Sequence, residues 1–326
     1  MGRTVAISRR RLGRTGLLVS ELGFGSWGIG GKIWRDSEDS SSLKALERAL
    51  DAGINFFDTA LIYGLGHSER LIAKVIKRNG SVHVATKMPP ANMVWPTRPG
   101  IPFRDAFPLR HIKKCTENSL RNLSRDIIDL QQFHVWNPEW TVDPDFQEAV
   151  HWLKDKQKVR FVGVSTNDHQ PGSALSVLQT GLIDCVQVIY NIFDQSPAEE
   201  LFSVCQRLDI GVIARVPFDE GSLAGIIQPD TVFDPSDWRS RYFSGDRKQQ
   251  VWRRVQDLIN GLPGNEPLAH TALRFCISHP AVSTVIPGMR KATHVEANSS
   301  AILKGPLPPD ILQMLANHAW NRNFYV

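Results

Sequence analysis

The feature that most constrains the fold is a repeated alternation of short apolar runs with amphipathic helical runs. Eight apolar runs have the Val, Ile, Leu and Phe content of strands buried on both faces, at 21–25, 54–60, 81–87, 127–135, 159–165, 183–191, 211–218 and 282–288. Each is followed by a helical run. Such a repeat predicts an α/β fold, a parallel (β/α)8 TIM barrel with long loops at its C-terminal face. An N-terminal β-hairpin is expected at 8–20, and no linker divides residues 1–326, so a single domain is expected.

The composition excludes several classes of protein. No apolar run approaches the roughly 20 residues of a membrane-spanning helix, and no apolar stretch of a secretory signal follows the basic residues near the start. The cysteines lack zinc-ligand spacing, so they predict buried free thiols in a reducing cytoplasm and no metal site. They are Cys115, Cys185, Cys205 and Cys276. Lys and Arg total 38 against 33 Asp and Glu, and this dispersed excess predicts neither a nucleic-acid nor a membrane partner.

A glycine motif offers a different interpretation of the fold. Residues 23–28 read GFGSWG, the spacing of a dinucleotide-binding turn between a strand and a helix. Such a turn opens directly into a helix, and an acidic residue follows about 20 residues later. Here the loop continues, and Asp58 lies 30 residues after Gly28. We therefore interpret these glycines as a loop at the mouth of a barrel.

Polar side chains collect where the predicted strands end. Because the carboxyl ends of the strands in a barrel meet at one face, catalytic residues are expected there. Asp58, Lys87 and His134 lie at three of these ends, and Tyr63 follows the first. Lys87 emerges from a buried strand, where its charge needs a partner, and Asp58 on the neighbouring strand is the natural one. Taken singly, these residues also fit a helix cap, a loop aromatic, a rim lysine and a core imidazole.

The same residues lie in segments that resemble the aldo-keto reductase family. The resemblance covers nearly the whole chain and is carried by LGFGSWGIGG (22–31), NFFDTALIYGLGHSE (55–69), VATK (84–87), QFHVW (132–136), GVS (163–165) and VIPGMRKATHVEAN (285–298). It implies a (β/α)8 barrel that reduces aldehydes or ketones with a nicotinamide nucleotide, usually NADPH, bound across the barrel mouth. It also implies a catalytic tetrad of Asp58, Tyr63, Lys87 and His134.

The implied chemistry requires these residue types. Hydride transfer to a carbonyl carbon leaves an alkoxide, which an acid must protonate. The Lys87 ammonium would stabilise the phenolate of Tyr63 and bring its pKa, ordinarily about 10, towards the neutral range. Asp58 would keep Lys87 charged, and His134 would donate a hydrogen bond to the carbonyl oxygen.

The resemblance also implies which residues hold the cofactor. Ser165, Asn167 and Gln187 are expected at the nicotinamide carboxamide, although the family usually has Asn directly after the Ser, where this chain has Thr166. Arg215 stands where the family often stacks an aromatic ring on the nicotinamide. The other implied cofactor positions are Gly25, Ser26, Trp27, Asp58, Pro217, Ser222, Leu223, Gly225, Gly288, Met289, Arg290, His294 and Asn298. Since Arg290 is the candidate for a 2′-phosphate, NADP is expected, with NAD as the alternative.

Tryptophans follow several of the strand ends. Trp34, Trp95 and Trp136, together with Trp140, are expected to wall an apolar pocket for a small-molecule carbonyl substrate, and packing between loops is the alternative for each. Two further functions remain open. One is a dehydrogenase of a sugar or another alcohol, and the other is a cofactor-binding regulatory subunit like the potassium-channel β-subunits that resemble this family.

Overall fold

Eight parallel strands form the central sheet, as the alternation along the sequence predicts. The computed structural model describes residues 6–31, 38–76 and 81–325. Its strands are β1 (Arg9–Arg11), β2 (Leu18–Ser20), β3 (Phe24–Gly25), β4 (Phe56–Asp58), β5 (His83–Met88), β6 (Ile128–Phe133), β7 (Val159–Ser165), β8 (Cys185–Ile189), β9 (Gly211–Arg215) and β10 (Val282–Val285). Strands β3 to β10 pair in chain order, each parallel to the next. This order confirms the predicted barrel.

The sheet closes on itself between its first and last strands. Parallel bridges join Leu22 to Val285 and Gly25 to Gly288. The Gly25 amide donates to the carbonyl oxygen of Pro287 over 3.0 Å. Closure pairs the edge strands β3 and β10 and brings the loops that follow them together at the mouth.

Helices surround the barrel. They are α1 (Asp39–Asp51), α2 (His67–Ile76), α3 (Phe103–Ala106), α4 (Leu109–Leu123), α5 (Pro144–Asp155), α6 (Leu175–Leu178), α7 (Leu201–Leu208), α8 (Arg239–Tyr242), α9 (Arg247–Gly261), α10 (Leu268–Ser278), α11 (Ala292–Leu303) and α12 (Pro309–Ala316). Their apolar faces cover the outside of the strands, which explains why the strand runs are apolar without alternation. Within the described residues, none of these helices combines the length and the apolar character needed to span a membrane.

The barrel interior changes from apolar to polar along the strands. Side chains alternate along a strand, so every second residue faces the same side. One apolar layer contains Phe56, Ala85, Leu130, Cys185 and Ile213, and it is separate from the core between strands and helices. Two residues further along the same five strands lie Asp58, Lys87, Gln132, Gln187 and Arg215. A polar layer therefore lies directly above an apolar one, at the carboxyl end of the barrel.

The predicted hairpin is confirmed and closes the amino-terminal end of the barrel. Leu12, Leu17 and Val19 pack on the apolar interior layer. Arg10 donates to the carbonyl oxygens of Ile277 (2.7 Å) and Val282 (2.8 Å), and this ties β1 to the start of β10. The polar layer lies at the opposite end of the barrel.

Some predicted elements differ in extent from those in the structure. The strand expected at 21–25 is regular only at Phe24–Gly25, because the preceding residues leave the hairpin. The helix expected at 173–181 is a 3-10 turn followed by the single turn α6. Gly181 has φ of +77°, the left-handed conformation that its glycine predicts.

The glycine motif at 23–28 runs into a 3-10 turn at Trp27–Ile29 and not into an α-helix. The interpretation of this segment as a loop at the barrel mouth is therefore confirmed. The four cysteines are buried and free, also as predicted.

Candidate active site

A buried ion pair forms the centre of the polar layer. Asp58 ends β4 and Lys87 is the penultimate residue of β5, so the parallel pairing of these strands brings both side chains into the barrel. The Lys87 ammonium contacts Asp58 Oδ1 and donates to the Thr59 carbonyl oxygen over 2.9 Å. Asp58 Oδ2 accepts from Gln187 Nε2 at 2.8 Å and from Gln132 Nε2 at 3.4 Å. The carboxylate therefore has partners on both oxygens, which its burial requires.

Tyr63 lies beside the ion pair. The Lys87 Nζ is 5.2 Å from the centroid of its ring. Burial raises the pKa of Tyr63, and the Lys87 charge opposes this without reversing it. The expectation that Lys87 brings this pKa towards the neutral range is therefore wrong in its net direction, because the loss of hydration outweighs the nearby charge. The phenol keeps its proton at neutral pH and can act as an acid.

His134 completes the group. It follows β6 directly, and its ring lies 5.9 Å from that of Tyr63 and 5.4 Å from that of Trp95. Burial and the charges of Lys87 and Arg215 hold the pKa of His134 well below its usual range, so the imidazole is neutral. A neutral imidazole has one N–H to donate, and its Nδ1 has no hydrogen-bond partner within the described part of the chain. The four residues of the implied tetrad thus lie together at one end of the barrel.

Arg215 enters the mouth from the end of β9. Its Nη2 donates to Asp168 Oδ1 at 2.8 Å and to the Thr166 carbonyl oxygen at 3.1 Å. Burial alone would lower the pKa of Arg215, but Asp168 outweighs this effect and the pKa is raised. The guanidinium is therefore a fixed charge between the loops after β7 and β9. No sequence pattern singled out Asp168, although it directly follows Asn167 in the loop after β7.

The residues expected at a nicotinamide carboxamide occupy adjacent strands. Ser165 pairs in register with Gln187, and both are buried. Gln187 already donates its amide to Asp58, which links this side of the mouth to the ion pair. Asn167 donates to the Trp136 carbonyl oxygen and to Gln170 Oε1, each at 3.1 Å. The side chain of Asn167 therefore faces the loop after β6 as well as the mouth.

The loop after β9 is tied to the last described residues of the chain. Glu220 Oε1 accepts a hydrogen bond of 2.5 Å from the Tyr325 hydroxyl, and Asp219 forms a buried ion pair with Arg322. Further along, Ser222 and Leu223 are buried and Gly225 has φ of +72°, while Pro217 is buried before the turn. This attachment had no signal in the sequence patterns.

The remaining cofactor candidates line the first and last strand ends. Ser26 donates from its amide (3.0 Å) and its hydroxyl (2.7 Å) to the carbonyl oxygen of Asp58, and the ring of Trp27 lies 5.5 Å from that of Trp238. On the other side, the Arg290 side chain lies against Gly28, where an added Cβ would meet its Cγ at 2.7 Å.

The last strand end contributes backbone and helix positions. The side chain of Met289 is fully buried, so it offers only its backbone to a ligand. Gly288 has open space where a side chain would stand. His294 Nδ1 accepts from the amide of Arg290 at 3.4 Å, and Asn298 lies one turn further along α11.

The tryptophans behave differently from one another. Trp95 is 40% exposed, and its ring lies 5.4 Å from that of His134. Trp136 is fully buried in a cluster of aromatic rings with Phe146. Trp140 is equally buried and donates to the Ile101 carbonyl oxygen at 2.7 Å, which is the loop-packing alternative. Trp34 lies outside the described residues.

Comparison with known proteins identifies the family of this chain. The model of the aldo/keto reductase family matches residues 21–319, and the chain therefore belongs to that family, whose members are oxidoreductases. The chain is 28% identical over 292 residues to the aldo-keto reductase YhdN of Bacillus subtilis, covering 87% of this chain and 86% of that protein. It is 29% identical to an NADH-specific methylglyoxal reductase of Escherichia coli, covering 83% of each.

Two further similarities bear on function. A probable voltage-gated potassium channel β subunit of Oryza sativa is 28% identical, with 94% of each chain covered. The solved holo form of aldo-keto reductase AKR11C1 from Bacillus halodurans superposes with a TM-score of 0.76 at 27% identity, covering 98% of this chain and 99% of that one. The fold and the family are thus shared along almost the entire chain.

Proposed function

We propose that this protein is an NADP-dependent reductase that converts an aldehyde or ketone to an alcohol. The observation that carries the proposal is the buried Asp58–Lys87 pair beside Tyr63 and the neutral imidazole of His134. This combination provides a proton donor, a charge to stabilise its conjugate base and a hydrogen-bond donor for an oxygen. The buried free thiols support a location in the reducing cytoplasm.

The residues at the mouth fit a nicotinamide nucleotide. Ser222 Oγ is buried and has no hydrogen-bond partner within the described residues, and such an atom needs a polar ligand. Gly225 and Gly288 have open space where a Cβ would stand, which leaves their backbone accessible to a ligand. Arg290 is our candidate for the 2′-phosphate of NADP. The NADH-specific relative makes the choice between NADP and NAD a question for experiment.

The proposed mechanism assigns one task to each side chain. When bound, the nicotinamide supplies the hydride for the carbonyl carbon. His134 donates a hydrogen bond to the carbonyl oxygen and orients it. Tyr63 transfers its hydroxyl proton to that oxygen, and Lys87 stabilises the resulting phenolate until solvent returns a proton. Asp58 acts through Lys87 by holding the ammonium in position.

The test is a panel of aldehydes, ketones and sugars, with NADPH or NADH consumption followed by absorbance. Tyr63→Phe should lower kcat by about 10²–10⁴ because it removes the general acid, while the affinity for nucleotide changes little. Tyr242→Phe is the matched control, because its buried hydroxyl has no hydrogen-bond partner among the described residues. Near-normal turnover by Tyr63→Phe would remove Tyr63 from the mechanism.

If the wild type binds nucleotide but reduces no carbonyl and oxidises no alcohol, a regulatory role like that of the channel-subunit relatives replaces the proposed enzymatic function.

A further inference from the structure

A cavity lies among the loops at the carboxyl end of the barrel. Its volume is about 470 Å³. It is lined by residues of the loops after β5, β6 and β7, namely Thr97, Pro99, Trp136, Asn137, Pro138, Glu139, Asn167, His169, Gln170, Pro171, Gly172 and Ser173. Trp136 follows His134 by two residues, and Asn167 follows Ser165 by two. The cavity therefore borders the mouth on the side of β6 and β7.

Four lining residues carry buried polar atoms without a partner. These atoms are Thr97 Oγ1, Trp136 Nε1, Asn167 Oδ1 and His169 Nε2, and none has a hydrogen-bond partner among the described residues. A buried polar group that stays unpaired destabilises the folded state, so such groups in native proteins usually have a ligand or an ordered water as partner. Their occurrence around a single cavity indicates that a polar molecule occupies it.

His169 is held in a fixed orientation. Its Nδ1 lies 2.6 Å from Asp194 Oδ2, and Asp194 Oδ1 accepts from the Ser196 hydroxyl, also at 2.6 Å. Although burial alone would raise it, the hydrogen bonds from His169 and Ser196 lower the pKa of Asp194. The Asp194 carboxylate accepts from Nδ1–H and so orients the ring, which leaves Nε2 as the ring nitrogen without a protein partner among the described residues.

The backbone of His169 is also unusual. Its φ is +56°, a conformation that costs energy for a residue other than glycine and often occurs at ligand sites. The strained turn places the imidazole in the wall of the cavity. One ring nitrogen is committed to Asp194, so Nε2 is the nitrogen left for a ligand.

The charges around the cavity limit the kind of ligand. No Lys or Arg is present among the described residues that line it. Its one carboxylate, Glu139, already accepts from the Gly100 amide at 2.8 Å and from Asn137 Nδ2 at 3.4 Å. The unpaired atoms comprise an N–H donor at Trp136, an amide oxygen acceptor at Asn167, a ring nitrogen at His169 and a hydroxyl at Thr97. This mixture suits hydroxyl groups, which both donate and accept, and does not suit a phosphate or a carboxylate.

We propose that this cavity is a binding subsite for a hydroxyl-bearing part of the carbonyl substrate, and that His169 determines specificity there. The proposal rests on the proposed reductase function, because the substrate's carbonyl group is held at Tyr63. Its hydroxyl donates to His169 Nε2 and accepts from the indole N–H of Trp136. Thr97 provides a further hydrogen bond from the loop that also carries Trp95.

The first experiment compares benzaldehydes that carry a hydroxymethyl or hydroxyethyl group with the matching ethyl or propyl compounds. In the wild type, kcat/KM is expected to favour the hydroxylated member of a pair by about tenfold, mainly through KM. His169→Asn removes Nε2, and Asn tolerates a positive φ, so this preference should fall three- to tenfold. Thr97→Val keeps the shape and should lower the preference in the same direction. His151→Asn, on the exposed face of α5, is the matched control and should leave it unchanged.

The second experiment separates the subsite from the reaction. Binding of 1,4-benzenedimethanol and of 4-ethylbenzyl alcohol is compared by saturation-transfer NMR in the wild type and in His169→Asn. If the wild type binds the diol more tightly and His169→Asn loses this preference, the subsite is supported. That result stands even if no carbonyl is reduced, and then only the proposed function fails. Two results would assign His169 a structural role and overturn the proposal. One is equal binding of the two alcohols by the wild type, and the other is an equal decrease of kcat/KM for both aldehydes of a pair in His169→Asn.

Discussion

Replacing Lys87 by Met tests whether the ion pair in the barrel is a structural unit as well as a catalytic one. The side chains of Lys87 and Asp58 are 1% and 4% exposed, so neither charge is stabilised by bulk water. Removal of the ammonium leaves the Asp58 carboxylate, among the described residues, with two neutral donors, the amides of Gln187 at 2.8 Å and Gln132 at 3.4 Å. Breaking a buried pair from one side costs about 3–5 kcal/mol, and we expect Lys87→Met to lose this amount.

The measurement is the free energy of unfolding in urea, without substrate or nucleotide. Asp58→Asn removes the other charge, and the double variant removes both. Because the double variant leaves no uncompensated carboxylate, it should be more stable than the sum of the single losses implies, by about 2–3 kcal/mol. A loss below about 1 kcal/mol in Lys87→Met, or strictly additive losses, would refute the argument that burial makes the two charges depend on each other.

Two further predictions concern the cofactor and the end of the chain. Arg290→Ala should weaken NADPH binding about ten- to a hundredfold in a fluorescence titration, because it removes a charge-assisted hydrogen bond, and should leave NADH binding nearly unchanged. Lys291→Ala is the control. Equal losses of affinity for both nucleotides would show that Arg290 does not bind the 2′-phosphate. Burial raises the pKa of Glu220 to about 7, although the hydrogen bond from Tyr325 opposes this. Since this value lies above that of an unfolded glutamate, the stability from protonated Glu220 is complete below about pH 4.5 and is lost as the pH rises through about 7. Urea midpoints between pH 4.5 and 8 should therefore fall less steeply in Glu220→Gln than in the wild type or in the exposed control Glu199→Gln, and an unchanged slope would contradict this.

The parts of the candidate site that depend on strand periodicity were predictable from the sequence. Asp58 and Lys87 end strands that pair in parallel, so their meeting follows from their positions alone. The same periodicity also predicts that Gln132 faces the barrel interior, because it lies two residues after the inward-facing Leu130. The net direction of the Tyr63 pKa was missed for another reason, since it depends on how deeply the loop after β4 buries the phenol.

Contacts between distant loops were not predictable in this way. The ion pair between Arg215 and Asp168 joins the end of β9 to the loop after β7, and the hydrogen bond between Tyr325 and Glu220 spans 105 residues of sequence. No local pattern encodes such partners. The aromatic cluster of Trp136 with Phe133, Trp140 and Phe146 likewise joins residues that become neighbours only in the folded barrel.

The seam between β3 and β10 constrains when the barrel can be completed during synthesis. Leu22 and Val285 are 263 residues apart (285 − 22), and a ribosome adds about 5–20 residues per second. For roughly 13–50 s, a nascent chain that has already made β3 therefore lacks the strand that closes the sheet. During that time β3 and then each newly made strand expose unpaired backbone groups at open edges, which are templates for pairing with other chains. A chain that stops before Val282 is thus expected to aggregate, although it contains the whole Asp58–Lys87 pair.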